Sequence, residues 1–103
     1  MRIHGASARS SNLVRPKMEL ASKTPLFGLW STYRDPSVLE TGAAEGFDWI
    51  GVDGQHGHAE PSDYRDLIEA AHVYGVPTAI RVASHEAGLL GRSIDTGTSM
   101  VIV

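Results

Sequence analysis

The sequence predicts an α/β fold: the first four βα-type units of a (β/α)8 barrel, truncated after the fourth strand. Three observations carry this reading. Short apolar runs alternate with amphipathic stretches in the order β-α-β-α-β-α-β, the pattern of a parallel sheet with right-handed crossovers. The strand runs are almost continuously apolar, as strands covered on both faces are. The chain has 103 residues, enough for one domain, whereas a whole barrel takes about 250. A doubly wound sheet would give the same alternation, but no G-x-G-x-x-G follows the first strand and no phosphate-binding P-loop is present. The run Met100-Val101-Ile102-Val103 would be a bare hydrophobic edge, and such edges aggregate unless covered. The expectation is therefore the front half of something larger.

Each element follows from local chemistry. Residues 26–30 are apolar and follow Pro25, a short buried strand. Asp35 is a good N-cap and Pro36 suits the first helical position, so a helix starts there. Val38, Leu39 and Ala43 share one face of it, and Gly46 can close it. Residues 47–53 form a second strand through Trp49, Ile50 and Val52. Residues 54–60 are a polar, glycine-bearing loop. Residues 61–74 form the clearest helix, because Tyr64, Leu67, Ile68 and Ala71 recur at i, i+3, i+4, i+7. Residues 77–82 are a third strand. Residues 85–96 are a third helix with Leu89, Leu90 and Ile94 on one face, and residues 99–103 are a fourth strand.

Composition removes several function classes. The chain is 42% hydrophobic and 20% charged, which excludes collagen-like and disordered chemistry. There is no cysteine, so disulfides, thiolate zinc sites and cysteine nucleophiles are excluded; the absence is compatible with the cytoplasm, the expected compartment. The net charge is -3, without the basic surplus of a nucleic-acid binder. No apolar run approaches the roughly 20 residues of a membrane helix. Neither nucleic acid nor membrane is an expected partner. The charge is unevenly spread: residues 1–24 hold Arg2, Arg9, Arg15, Lys17 and Lys23 against Glu19 alone. This stretch reads as a flexible basic arm ahead of a domain over residues 25–103. An organellar transit segment, or translation starting at Met18, are the other readings.

Chemistry is expected at the strand ends, because α/β folds build their sites beyond the C-terminal ends of the strands. Trp30 ends the first strand, Asp53 the second, and Arg81 lies near the end of the third. His56, in Asp53-Gly54-Gln55-His56-Gly57-His58, is the candidate base: imidazole titrates near neutrality, and Asp53 three residues earlier could orient it. The bland alternative is an ordinary loop histidine. His56 and His58 could instead be two metal ligands in an H-x-H arrangement. Arg81 sits in an apolar strand, where a charge is costly unless paired. It is either a structural partner of Asp53 or another acid, or a bidentate anchor for a substrate carboxylate. Trp30 is core by residue type and a site residue only by position. His72, His85 and the run Asp63, Asp66, Glu69 read as structural or solvated. Both lysines precede the first strand, so Schiff-base chemistry has no plausible residue.

These residues carry a resemblance. Gly28-Leu29-Trp30, Gly46-Phe47-Asp48-Trp49-Ile50, Asp53-Gly54-Gln55-His56 and Ile80-Arg81-Val82, in order and at matching spacing over residues 25–103, resemble the HpcH/HpaI family of metal-dependent aldolases. The resemblance implies a TIM barrel that reversibly cleaves a 4-hydroxy-2-oxo acid to pyruvate and an aldehyde. It implies a divalent metal, Mg2+ or Mn2+ with Co2+ as a third candidate, and self-association of the full-length protein. By the same resemblance His56 is the acid/base and Asp53 its support, Arg81 holds the pyruvyl carboxylate, and Trp30 lines the pocket. Two departures stand out: Gln55 replaces a common glutamate, and Gly57-His58 a common Ala-Pro. The family's metal ligands, a Glu and an Asp on later strands, have no counterpart here and are expected beyond Val103. The 103 residues alone are therefore expected to be an inactive fragment. The alternative is a non-catalytic half-barrel that pairs with itself or with a fuller paralogue.

Overall fold

The computed structural model describes residues 16, 17 and 24–103. The expected basic arm lies outside the described residues, apart from Pro16, Lys17 and Thr24. Four strands, β1 (Gly28–Ser31), β2 (Trp49–Asp53), β3 (Thr78–Arg81) and β4 (Met100–Ile102), alternate with three helices, α1 (Pro36–Glu45), α2 (Tyr64–His72) and α3 (Ala87–Asp95). A single 3-10 turn, Pro61–Asp63, leads into α2. No helix among the described residues is long and apolar enough to cross a membrane.

All strands are parallel, in the order β1-β2-β3-β4. This order settles a question that alternation alone leaves open. A doubly wound sheet reverses its strand order at a switch point. Here every strand is laid beside its predecessor in one direction. Right-handed crossovers taken always in one direction put every helix on one face, which is how a (β/α)8 barrel is wound.

The register assigns the two faces. Residues alternate along a strand, and the pairs Ser31↔Val52↔Ile80 and Leu29↔Ile50↔Thr78 lie on the helical side. There Ile50, Val52 and Ile80 join Leu39, Leu67, Ile68 and Ala71 from the helices in one core, all of them buried. Tyr64, Leu67, Ile68 and Ala71 are buried together, as their spacing requires. The other face carries Trp30, Gly51, Asp53, Ala79 and Arg81.

Local rules explain the helix ends. Asp35 Oδ1 accepts from the Ser37 backbone N–H at 3.0 Å and caps α1 behind Pro36. Helix α3 differs from the expected face: Leu89 and Ser93 are buried, whereas Ile94 is 48% exposed. Ser93 is tolerated inside because its hydroxyl donates to the Leu89 carbonyl at 2.8 Å, so the helix can turn a polar side chain inward at no unsatisfied cost. β1 also runs one residue further than its apolar stretch, to Ser31, because its ladder with β2 continues to Val52.

Candidate functional site

The site is built where β2 and β3 end. Asp53 and Arg81 are the last residues of their strands and face each other in register, Asp53↔Arg81. Asp53 is 2% exposed, and a carboxylate so buried must be fully paired. Arg81 meets it as a fork: Nη2 donates to Oδ2 at 2.6 Å and Nε to Oδ1 at 3.2 Å. The backbone N–H groups of Gln55 and His56 donate to Oδ1 at 3.0 and 2.9 Å, and the Trp30 indole N–H to Oδ2 at 3.2 Å. Five donors converge on two oxygens, which have about four lone-pair directions between them. Burial by itself would raise the Asp53 pKa. The Arg81 guanidinium, the His56 and Gln55 amides and the Trp30 N–H outweigh it and hold the carboxyl well below its ordinary range.

Trp30 reaches this carboxylate because Gly51 leaves it a seat. A Cβ on Gly51 would stand 2.4 Å from the Trp30 ring, so any side chain there would push the indole off the sheet. Glycine inside an apolar strand is the sequence sign of such a close approach. The ring also lies against Arg81, whose guanidinium carbon is 5.3 Å from its centroid, within cation–π range. Trp30 is 39% exposed, so one edge faces outward while the N–H points in. Replacing Trp30 with phenylalanine keeps a ring beneath Arg81 and deletes one donor to a buried carboxylate. We expect a loss of about 1 kcal/mol of stability, the value of one hydrogen bond. A urea-unfolding midpoint unchanged from the parent would refute a contribution from that N–H.

His56 is placed differently from the expected Asp–imidazole pair. Asp53 takes the His56 backbone N–H, not a ring nitrogen. The carboxylate therefore shapes the 53–56 turn, and the turn carries an exposed imidazole to the rim. Arg81 is the structural partner of Asp53, the first of the two readings made of it. It pairs with Asp53 through its Nε/Nη2 edge, and its Nη1 edge has no other partner among the described residues. That edge is free for a second, planar, anionic group.

The loop after His56 is stitched to the loop after β1. His58 N–H donates to the Thr32 carbonyl at 2.8 Å, and a Cβ on Gly57 would meet the Asp53 carbonyl at 2.6 Å. Between the two loops lies a cavity of about 450 Å³ lined by Tyr33, Arg34, Asp35, Gly57, His58 and Glu60. Arg34 bonds Asp63 at 3.5 Å. Nothing in the sequence marks that pair, because 29 residues separate its members. No group of three His, Asp or Glu side chains among the described residues could hold a metal ion. The H-x-H histidines thus lack a third ligand there, and both Asp53 oxygens are already taken.

Comparison with known proteins agrees with the architecture. No family model matches the chain. A hydroxypyruvate/pyruvate aldolase of Cupriavidus necator is 31% identical over 90 residues, covering 84% of this chain and 32% of the relative. A protein of the same description from Paraburkholderia phytofirmans is 37% identical over 87 residues, covering 79% and 32%. The crystal structure of an HpcH/HpaI aldolase/citrate lyase family protein from Burkholderia cenocepacia superposes with a TM-score of 0.68 at 29% identity, covering 75% of this chain and 31% of that one. The chain spans about a third of the length of the curated relatives it matches. Over that third it is their homologue, aligned with the N-terminal part of their fold.

Proposed function

We propose that this homologue of the HpcH/HpaI aldolases supplies the acid/base and carboxylate-anchoring part of a pyruvate aldolase site. The reaction is the reversible cleavage of a 4-hydroxy-2-oxo acid to pyruvate and an aldehyde. One observation carries the reading: Asp53 pins Arg81 by one edge and, through its bonds to the Gln55 and His56 amides, organises the turn that presents His56 at the same end of the sheet. A pyruvyl carboxylate laid against the free edge gains a bidentate, charge-assisted pair without Arg81 having to be ordered on binding. His56 then takes the proton of the C4 hydroxyl. The C3–C4 bond breaks, its electron pair passes into the enolate of pyruvate, and the aldehyde leaves. The enolate is protonated at C3 to give pyruvate. The exposed edge of Trp30 walls the pyruvyl group.

A divalent ion (Mg2+, Mn2+ or Co2+), which the kinship implies, would stabilise the enolate charge. The described residues offer no ligand set for it, and no step above is routed through it. The same proposal places the whole protein in the cytoplasm as a self-associating enzyme, acting on a small 2-oxo acid.

The test uses the protein purified from its natural source with Mg2+ or Mn2+ added. It should release pyruvate from 4-hydroxy-2-oxopentanoate and exchange the C3 protons of pyruvate with D2O. His56→Gln should lower both rates by about 100-fold, the lower range for a lost acid/base group. A folded, metal-loaded protein silent in both assays overturns the proposal. So does a His56→Gln variant as active as the parent.

A further inference from the structure

We infer that Trp49 is a positioning residue for the carboxylate anchor: it holds Trp30 where the indole meets both Asp53 and Arg81. This rests on the aldolase reading above and goes beyond it by giving Trp49 a role. The register sets each indole opposite a glycine of the neighbouring strand, Gly28↔Trp49 and Trp30↔Gly51. Residues two apart share a face of a strand, so all four lie on the face that carries Asp53 and Arg81.

A Cβ on Gly28 would overlap the six-membered ring of Trp49, so Trp49 lies over Gly28 as Trp30 lies over Gly51. Both rings also converge on one point. A Cβ on Gly51 would stand 2.4 Å from Trp30 Cε3, 2.5 Å from Trp30 Cζ3 and 3.2 Å from Trp49 Cζ3. Cε3 and Cζ3 form the edge of the indole opposite its N–H. Trp30 is thus held at two ends. Its N–H donates to Asp53 Oδ2 at 3.2 Å, and its opposite edge faces Trp49. The Arg81 guanidinium rests against the same ring, its carbon 5.3 Å from the centroid. Glycine inside a strand weakens it, and close approach is what it permits; here two glycines are kept, one under each indole. A flexible aliphatic side chain at position 49 has no rigid edge to stop the indole. Trp30 would then slide toward the N-terminal end of β2 and draw its N–H off Asp53, and Arg81 would lose the surface that fixes its guanidinium.

The test uses the whole, metal-loaded protein with pyruvate as the probe. Two variants disturb the Trp49 ring from different sides: Trp49→Leu removes it, and Gly28→Ala displaces it with a methyl group. Solvent exchange of the Trp30 indole N–H is followed by NMR in the protein without pyruvate. The kcat and KM for exchange of the pyruvate C3 protons in D2O are then measured across pH. In both variants the Trp30 N–H should exchange about fivefold faster and KM should rise about fivefold, the worth of one hydrogen bond. The kcat should fall far less than kcat/KM, and its pH dependence, set by His56, should not move. Trp49→Phe keeps a flat ring and stands in for the leucine variant if that one does not fold; it should act in the same direction to a smaller extent. Folded variants with the parent's KM for pyruvate, or with the parent's Trp30 exchange rate, overturn this inference and leave the aldolase reading intact. So does a loss of kcat at constant KM. A parent protein that exchanges no pyruvate protons overturns the aldolase reading, and this inference with it.

Discussion

Asp53→Ala is expected to destabilise the fold by about 3–5 kcal/mol, the cost of breaking a buried ion pair from one side. Arg81, whose side chain is only 31% exposed, would lose its counter-charge, and the Gln55 and His56 amides and the Trp30 indole would lose their acceptor. Asp53→Asn keeps the shape and part of the hydrogen bonding and should cost less, about 1–3 kcal/mol. Urea unfolding of both variants decides the matter. An alanine variant within about 1 kcal/mol of the parent would mean that this carboxylate does not organise the rim. The same residue sets a pH dependence. Its folded-state pKa is depressed below the unfolded value of about 3.9. Its contribution to stability is therefore complete above about pH 5 and is lost as pH falls through the unfolded pKa toward the lower folded one. In Asp53→Asn the loss of stability between pH 5 and pH 3 should be correspondingly smaller. Parallel curves for parent and variant would assign the acid sensitivity to other groups.

Gly54→Ala is expected to be the most damaging substitution in the loop. A Cβ there would stand 2.0 Å from the Tyr64 hydroxyl oxygen and 2.8 Å from the Arg81 carbonyl. Tyr64 is 1% exposed and cannot swing away, and the carbonyl is fixed by the Gly54 N–H at 2.7 Å. Overpacking of this kind costs about 1–3 kcal/mol. Here it would also displace the turn that brings His56 to the rim, so the C3 proton exchange of pyruvate should fall with it. Adding Tyr64→Phe removes the nearest clashing atom and should recover part of the stability, which a double-mutant cycle would read as coupling between the two positions. Strict additivity, or a Gly54→Ala protein of parental stability, would show that the phenol does not pack against this turn.

Much of the fold is legible in the sequence because its signals are local. The spacing of Tyr64, Leu67, Ile68 and Ala71 matches one buried helical face, and Asp35-Pro36 marks a helix start that depends only on its neighbours. Where residue character and burial disagree, tertiary contact decided. Ile94 has the right character for a core face, but α3 buries Ser93 instead, since an internal hydroxyl bond to Leu89 makes that residue acceptable inside. The site is legible to a similar depth. Residue type and strand-end position single out Trp30, Asp53, His56 and Arg81, and a salt bridge between Asp53 and Arg81 is one of the two readings that an arginine in an apolar strand allows. Their division of labour is not legible. Whether Asp53 addresses the ring or the backbone of His56 depends on how the 53–56 turn closes, and no spacing rule fixes that.

The sequence by itself determined the order and kind of the elements, the parallel character of the sheet and the residue types at the rim. These depend on periodicity, caps and composition, which act over a few residues. The tertiary structure decided the choice between a doubly wound sheet and barrel winding, through the order β1-β2-β3-β4. It also decided the register that sets Asp53 opposite Arg81 across 28 residues, and the seat that Gly51 leaves for Trp30. Each of these joins residues far apart in the chain. Their energies come from burial, packing and paired charge, which exist only once the strands lie side by side.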